Sequence, residues 1–167
     1  MKGFIIGLIL GLVAIPIAIY LYFSLGLAPV ATDSAPMPFE EYLAETALDA
    51  RIRQEMPKGP SPVRPTDDNL TAGAKVYSQH CGGCHGKIGQ KPGPFADALF
   101  PKPPYLLDPD RTIEAPPEAF YWVVTNGIRL SAMPSFKNML TDDQRWQVSE
   151  MLVNAHKLPS AAQVLLK

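Results

Sequence analysis

Cys81-Gly82-Gly83-Cys84-His85 constrains this chain more than any other stretch of its 167 residues. The pattern is C-x-x-C-H, the signature of covalent c-type haem attachment. Two thiols three positions apart can each add to one vinyl group of a haem. The next residue, His85, then lies under the porphyrin and can ligate its iron. A segment that carries this motif folds around a large flat group and not only around its own side chains. The chain has two cysteines and both are here, so no disulfide framework or cysteine-rich metal site competes for them. A thioredoxin-like redox pair would want a βαβ pattern around the motif, which is missing. A zinc site would need two further ligands, and the histidines are only His80, His85 and His156. His80, directly before Cys81, reads as a surface residue.

The N-terminal segment sets the second constraint. From Phe4 to Leu27 the sequence FIIGLILGLVAIPIAIYLYFSLGL is apolar and uncharged, long enough to cross a hydrocarbon core of ~30 Å. We read residues 1–27 as a single transmembrane anchor. The run exceeds the ~7–15 apolar residues of a secretory h-region, and its best small-residue cleavage position, Ala28, is followed by Pro29. An uncleaved helix is therefore the expectation. Lys2 precedes it, which the positive-inside rule places in the cytoplasm. The rest of the chain is then expected beyond the cytoplasmic membrane, on its periplasmic or outer face. Gly3, Gly7, Gly11, Ala14 and Ala18 recur at spacings of three and four and form one smooth stripe. Such a stripe lets another membrane helix approach closely, although glycine and alanine are also common in membrane helices generally.

Residues 28–68 read as a linker. A proline-rich stretch runs from Ala28 to Pro38, and a helix is expected over 39–56, FEEYLAETALDARIRQEM. Pro38 is placed to start it, with Glu40 and Glu41 in the first turn and Arg51 and Arg53 near the end, as the helix dipole favours. Pro57, Gly59 and Pro60 stop it. The helix is net acidic, which disfavours attraction to anionic lipid. A membrane-surface element, a partner-packing element and a plain spacer all stay open for it.

Residues 69–158 read as a small all-α domain, with 159–167 as a C-terminal tail. Its size is small for a self-sufficient core, and a covalently held haem would add the apolar surface it lacks. Three helices are expected: Thr71–His80 with Thr71 as cap, Pro116–Asn126 ending at Gly127, and Thr141–His156 with Thr141 as cap and Pro159 beyond its end. Gly- and Pro-rich loops lie between them, and nothing reads as a strand pair. The whole chain is near neutral, with a formal charge of −1, so nucleic-acid binding has no support. Lys87, Lys91, Arg129 and Lys137 fall in loops flanking the motif. They would suit an acidic redox partner, or are scattered solvated charges.

A helix entering C-x-x-C-H, a proline-rich loop, an Asn126-Gly127 turn, a Met133-Pro134 dipeptide and a Trp146-bearing last helix together resemble a class I cytochrome c domain. The resemblance covers most of Leu70–Leu158 and is closest to the bacterial domains found alone or fused to respiratory complexes. It implies one covalent haem c, attached outside the cytoplasm. Cys81 and Cys84 would form the thioethers, His85 would be the proximal iron ligand and Met133 the distal one. It also implies that the carbonyl of Pro94, in the Gly93-Pro94 loop, accepts a bond from the His85 ring. Gly73 and Tyr77 match the first helix where it crosses the last, and Trp146 matches the last helix's aromatic position. Met151 departs from the tyrosine that many relatives carry. Met139, Met151 and His156 are the rivals for the sixth position, with Met139 the nearest in sequence. Tyr105, Trp122 and Arg129 could donate to haem propionates, or are plain core aromatics and a surface arginine; Asn126 could bond near Met133 or only supply its turn.

His/Met ligation fills both axial positions and raises the reduction potential. The reading is therefore a membrane-anchored monohaem electron carrier. It would serve as a subunit or a tethered donor or acceptor of a respiratory or photosynthetic membrane complex, docked through the Gly3/Gly7/Gly11/Ala14/Ala18 face and the lipid bilayer. The alternative is a five-coordinate haem, giving a gas sensor or a peroxidase-like enzyme. A thiol-redox or metal-binding module is the third possibility.

Overall fold

The computed structural model describes residues 2–110 and 114–167. Residue 1 of the expected anchor and residues 111–113 of the expected haem domain lie outside the described residues. The described residues are helical and contain no strand beyond an isolated antiparallel bridge between Lys87 and Gln90. The chain divides into two compact units, one up to Leu43 and one from Ala44 to Lys167.

The first unit contains α1, Lys2–Ser24, and the start of α2, Glu40–Glu55. Twenty-three residues at 1.5 Å each give a helix of about 34 Å, enough to cross a bilayer core, and it has no buried residue. Pro16 lies inside it. Gly3, Gly7 and Gly11 have open space beside them among the described residues. α2 starts and stops within a residue of the expected helix, its first turn carrying Glu40 and Glu41.

The second unit is built on α3, Asp67–His80, α6, Pro117–Asn126, and α7, Asp142–Val153. α3 starts before the expected Thr71. The cap is Thr66, whose Oγ1 accepts from the Asn69 N–H at 3.3 Å. Thr71 instead donates its hydroxyl to the Asp67 carbonyl at 2.7 Å. Asp67 and Asp68 then occupy the first turn, where the helix dipole favours acids. α7 has the expected cap, completed by Gln144 into a reciprocal pair of bonds with Thr141. It ends at Val153, and Ala155–Lys157 continues as a 3₁₀ turn, so the helix stops short of the expected His156.

α3 and α7 cross closely at Gly73. A side chain there would collide with the Gln147 carbonyl and approach Met151. Tyr77, Met151 and Val148 are essentially inaccessible at this crossing. α6 packs on α7, where Tyr121 and Trp146 stack with centroids 4.0 Å apart. Burying aromatic and aliphatic side chains in this way is the main favourable contribution to the fold.

The segment 159–167 is not a loose tail. Ser160–Leu165 forms a helix, α8, with Pro159 at its N-cap position. Ala162 and Leu166, four apart, are fully buried, and the helix packs on α3. Six residues are too few to form a helix alone, so tertiary contact makes this one.

Candidate haem site

The two cysteines sit on one turn. α3 ends at Cys81, and a short helix α4, Gly82–His85, follows at once. The N–H groups of Cys84 and His85 both donate to the Cys81 carbonyl, at 3.1 and 2.9 Å. This puts two thiols and an imidazole on a single tight turn. Cys81 is the more enclosed thiol, pushed up to about 12 by burial first and by neighbouring Cys84 second. A neutral buried thiol beside an aromatic-lined core suits a thioether, which carries no charge.

Gly86 reverses the chain directly after His85. Its φ is +75°, and a Cβ there would lie 2.7 Å from the Gln90 carbonyl oxygen and from the Tyr105 ring. Only glycine meets both demands. The backbone around it is held from three sides. The Tyr77 hydroxyl donates to the carbonyls of Gly86 at 2.9 Å and His85 at 3.2 Å. The Leu106 N–H also donates to the His85 carbonyl, at 3.2 Å. The Tyr105 hydroxyl donates to the Lys87 carbonyl at 2.7 Å, and the Ile88 N–H donates to the Leu166 carbonyl at 2.9 Å. Burial, with Cys81 and Tyr105 nearby, raises the Tyr77 phenol far above its ordinary value, so it stays a donor.

The His85 ring does not meet the carbonyl expected from the sequence. Its Nδ1 lies 2.9 Å from the carbonyl oxygen of Pro104, not that of Pro94. A carbonyl can only accept, so Nδ1 carries the proton in this bond. Pro94 opens a short helix, α5, Pro94–Asp97, and its carbonyl takes the Ala98 N–H at 3.2 Å. The loop that leaves the motif is thus longer than the resemblance implied. Pro103-Pro104-Tyr105 is the part that returns beneath the histidine.

The Met133 loop is fastened to the end of α6. Gly127, with φ +69°, closes that helix, and a Cβ there would lie 2.7 Å from the Pro134 carbonyl carbon and 2.8 Å from the Met133 carbonyl oxygen. The Ile128 N–H donates to the Met133 carbonyl at 3.1 Å, and the Met133 N–H to the Ser131 hydroxyl at 3.1 Å. The Ser135 hydroxyl donates to the Thr125 carbonyl at 2.6 Å. Met133 is partly buried against the core, as are Cys81, Ile88, Tyr105, Leu106 and Phe120. Of its rivals, Met139 is 57% exposed, Met151 is sealed between α3 and α7, and His156 lies on the 3₁₀ turn.

The remaining candidates have other employment. Trp122 donates its Nε1–H to Glu55 at 3.3 Å, and Asn126 donates to the Trp122 carbonyl at 2.8 Å. Tyr105 is committed to Lys87, and Arg129 is exposed. The sequence reading did not find Gly86 and Pro104. A glycine directly after the motif was the available signal for the first, and a proline pair before an aromatic for the second. Among the described residues, no three His, Cys, Asp or Glu side chains gather as a metal-binding group, so the thiols have no zinc-type partners there.

These residues fit a haem. Two thiols share a turn, an imidazole beside them is oriented by a hydrogen bond, and a thioether packs against the core from a braced loop. The class so defined is a c-type cytochrome. Residues 68–151, just over half of the chain, match the family described as cytochrome c oxidase, cbb3-type, subunit III, and the chain belongs to that family. A cytochrome c domain of this family implies haem c as cofactor. Among solved structures, a chain of the Kuenenia stuttgartiensis reducing HAO-like protein complex is 31% identical, with a TM-score of 0.48, over 56% of this chain and 46% of that one. The present chain thus matches less than half the length of that neighbour. No curated protein matches it.

Proposed function

We propose that the protein carries single electrons through one covalently attached haem c, on a domain tethered to the cytoplasmic membrane by α1. The observation that carries this reading is the single tight turn that gathers Cys81, Cys84 and His85. The His85 ring, oriented by the Pro104 carbonyl, would be the iron ligand beside the two thiols. When bound, the haem supplies a one-electron couple with little structural change. The chain's part is to hold that group. Cys81 and Cys84 would retain it, and His85 and Met133 would be its iron ligands, Met133 from a loop stiffened by Pro134. The bonds made by Ile128, Ser131 and Ser135 restrict the loop, which would favour a filled sixth position over one open to oxygen or peroxide.

Three features support the membrane reading. α1 has the length and composition of a span, Lys2 stands at its N-terminal end, and the family's own name is that of an oxidase subunit. We take the N-terminus as cytoplasmic and the haem domain as periplasmic, working as a subunit or tethered donor or acceptor of a respiratory or photosynthetic complex. The Gly3–Gly7–Gly11 stripe is its candidate docking face.

The test is the spectrum of the purified membrane protein with a haem stain on a denaturing gel. Covalent haem with a weak ligand-to-iron band in the red, lost in Met133→Ala, is the expected result. Covalent haem without that band, binding carbon monoxide readily when reduced, overturns the carrier reading in favour of a sensor or enzyme.

A further inference from the structure

α2 carries apolar side chains at both ends, but on different sides. Near its C-terminal end Leu48, Ile52 and Met56 are half-buried, and Glu55 accepts from the Trp122 indole at 3.3 Å. At its N-terminal end Phe39, Tyr42 and Leu43 are 76, 66 and 61% exposed. These three fall at i, i+3 and i+4 and share one face. At 3.6 residues per turn that face points about 130° away from the Leu48–Ile52–Met56 face. The start of α2 is also unusual in its backbone. Phe39 has φ +65°, a conformation a bulky residue rarely adopts, and its carbonyl accepts the first helical bond, from Leu43 at 2.9 Å. The Met37 N–H is tied to the Glu40 carboxylate at 2.7 Å. The exposed face is therefore held in place by its own turn, and no described residue covers it.

The triad belongs to the same compact unit as α1 and follows that helix after one proline-containing connection. We infer that Phe39, Tyr42 and Leu43 seat in the interfacial layer of the bilayer that α1 crosses, against zwitterionic phospholipid. The inference rests on the reading of α1 as a span. Tyr42, an aromatic ring with one polar end, is at home at the boundary of headgroups and acyl chains, and burying all three side chains removes apolar surface from water. Charge selects the lipid. Glu40, Glu41, Glu45 and Asp49 surround the triad, and α2 has no basic residue before Arg51, so anionic headgroups are repelled. α2 then meets lipid at its first turn and the haem domain through Glu55.

The experiment uses the full holoprotein in phosphatidylcholine nanodiscs. Its native thiols are taken up by the haem, so Phe39→Cys, Leu43→Cys, Asp49→Cys and Val13→Cys each accept one nitroxide label. Collision with oxygen, which partitions into lipid, is compared with collision with a water-soluble nickel chelate. An unchanged haem spectrum certifies each variant. The expected oxygen-to-nickel ratio at positions 39 and 43 exceeds that at 49 severalfold and approaches that at 13. Ratios at 39 and 43 equal to 49, with 13 in lipid, overturn the inference and leave the span intact. Water-like values at 13 as well overturn both. Shielding of 39 and 43 from both reagents shows a protein partner there and overturns the lipid seat.

Discussion

The His85 ring and the Pro104 carbonyl are joined by a 2.9 Å hydrogen bond that bridges the whole loop between the motif and its return strand of chain. Because the acceptor belongs to the main chain, Pro104→Ala preserves the group but slackens its position. A bond of about 1 kcal/mol corresponds to roughly 40 mV in a one-electron couple. Weakening it makes the imidazole a poorer donor to oxidised iron, so the potential should rise by no more than that amount. Pro94→Ala should leave the potential unchanged. Redox titration of both variants checks this, and a larger shift for Pro94→Ala would restore the original expectation.

Gly127→Ala should uncouple the Met133 loop. The position has φ +69°, and the added methyl meets the backbone of Pro134 and Met133. Haem attachment at Cys81 and Cys84 should persist while the red band weakens and carbon monoxide binds the reduced protein. Optical titration with carbon monoxide reads the outcome, and a spectrum like that of the parent contradicts the role given to this turn.

Gly73→Ala should lower stability by about 3 kcal/mol, the upper part of the range for overpacking. The new methyl meets the Gln147 carbonyl and cannot be relieved by a rotamer change. Denaturant melts of the holoprotein measure it. A change under about 1 kcal/mol would mean that α3 and α7 slide apart freely.

Tyr77 links stability to pH. Its folded pKa lies above the unfolded value of about 10. The stabilisation is therefore complete below pH ~10 and is lost as pH rises toward the folded pKa. In the holoprotein the Cys81 contribution falls away, because a thioether has no charge, but burial remains. Tyr77→Phe should cost about 1–3 kcal/mol at neutral pH, by orphaning the Gly86 carbonyl. It should also flatten the alkaline decline. Parallel slopes for the two proteins would remove Tyr77 from this account.

The caps separate what the sequence revealed from what it concealed. Thr141 was legible because the reciprocal Thr141–Gln144 pair is local. Thr66 was missed for Thr71, since Thr71 directly precedes an apolar residue, Ala72, and only the acidic pair Asp67-Asp68 tips the choice toward Thr66. Thr66→Ala should cost about 1 kcal/mol and Thr71→Ala much less, readable in the same melts. The motif, the α6 stop at Gly127 and the all-helical character were likewise written in short-range signals. Pro104 and α8 were not. One is chosen by how a long loop returns in space, and the other is a helix only because α3 covers Ala162 and Leu166.

The bond from Ile88 to the Leu166 carbonyl has a consequence for the order of assembly. Chains are made N-terminus first at about 5–20 residues per second. The Cys81–His85 turn therefore emerges several seconds before the residue that fastens the loop behind it. Until then the loop behind the motif lacks this fastening, and the pocket around the thiols is unfinished. The latch is among the last contacts a growing chain can make.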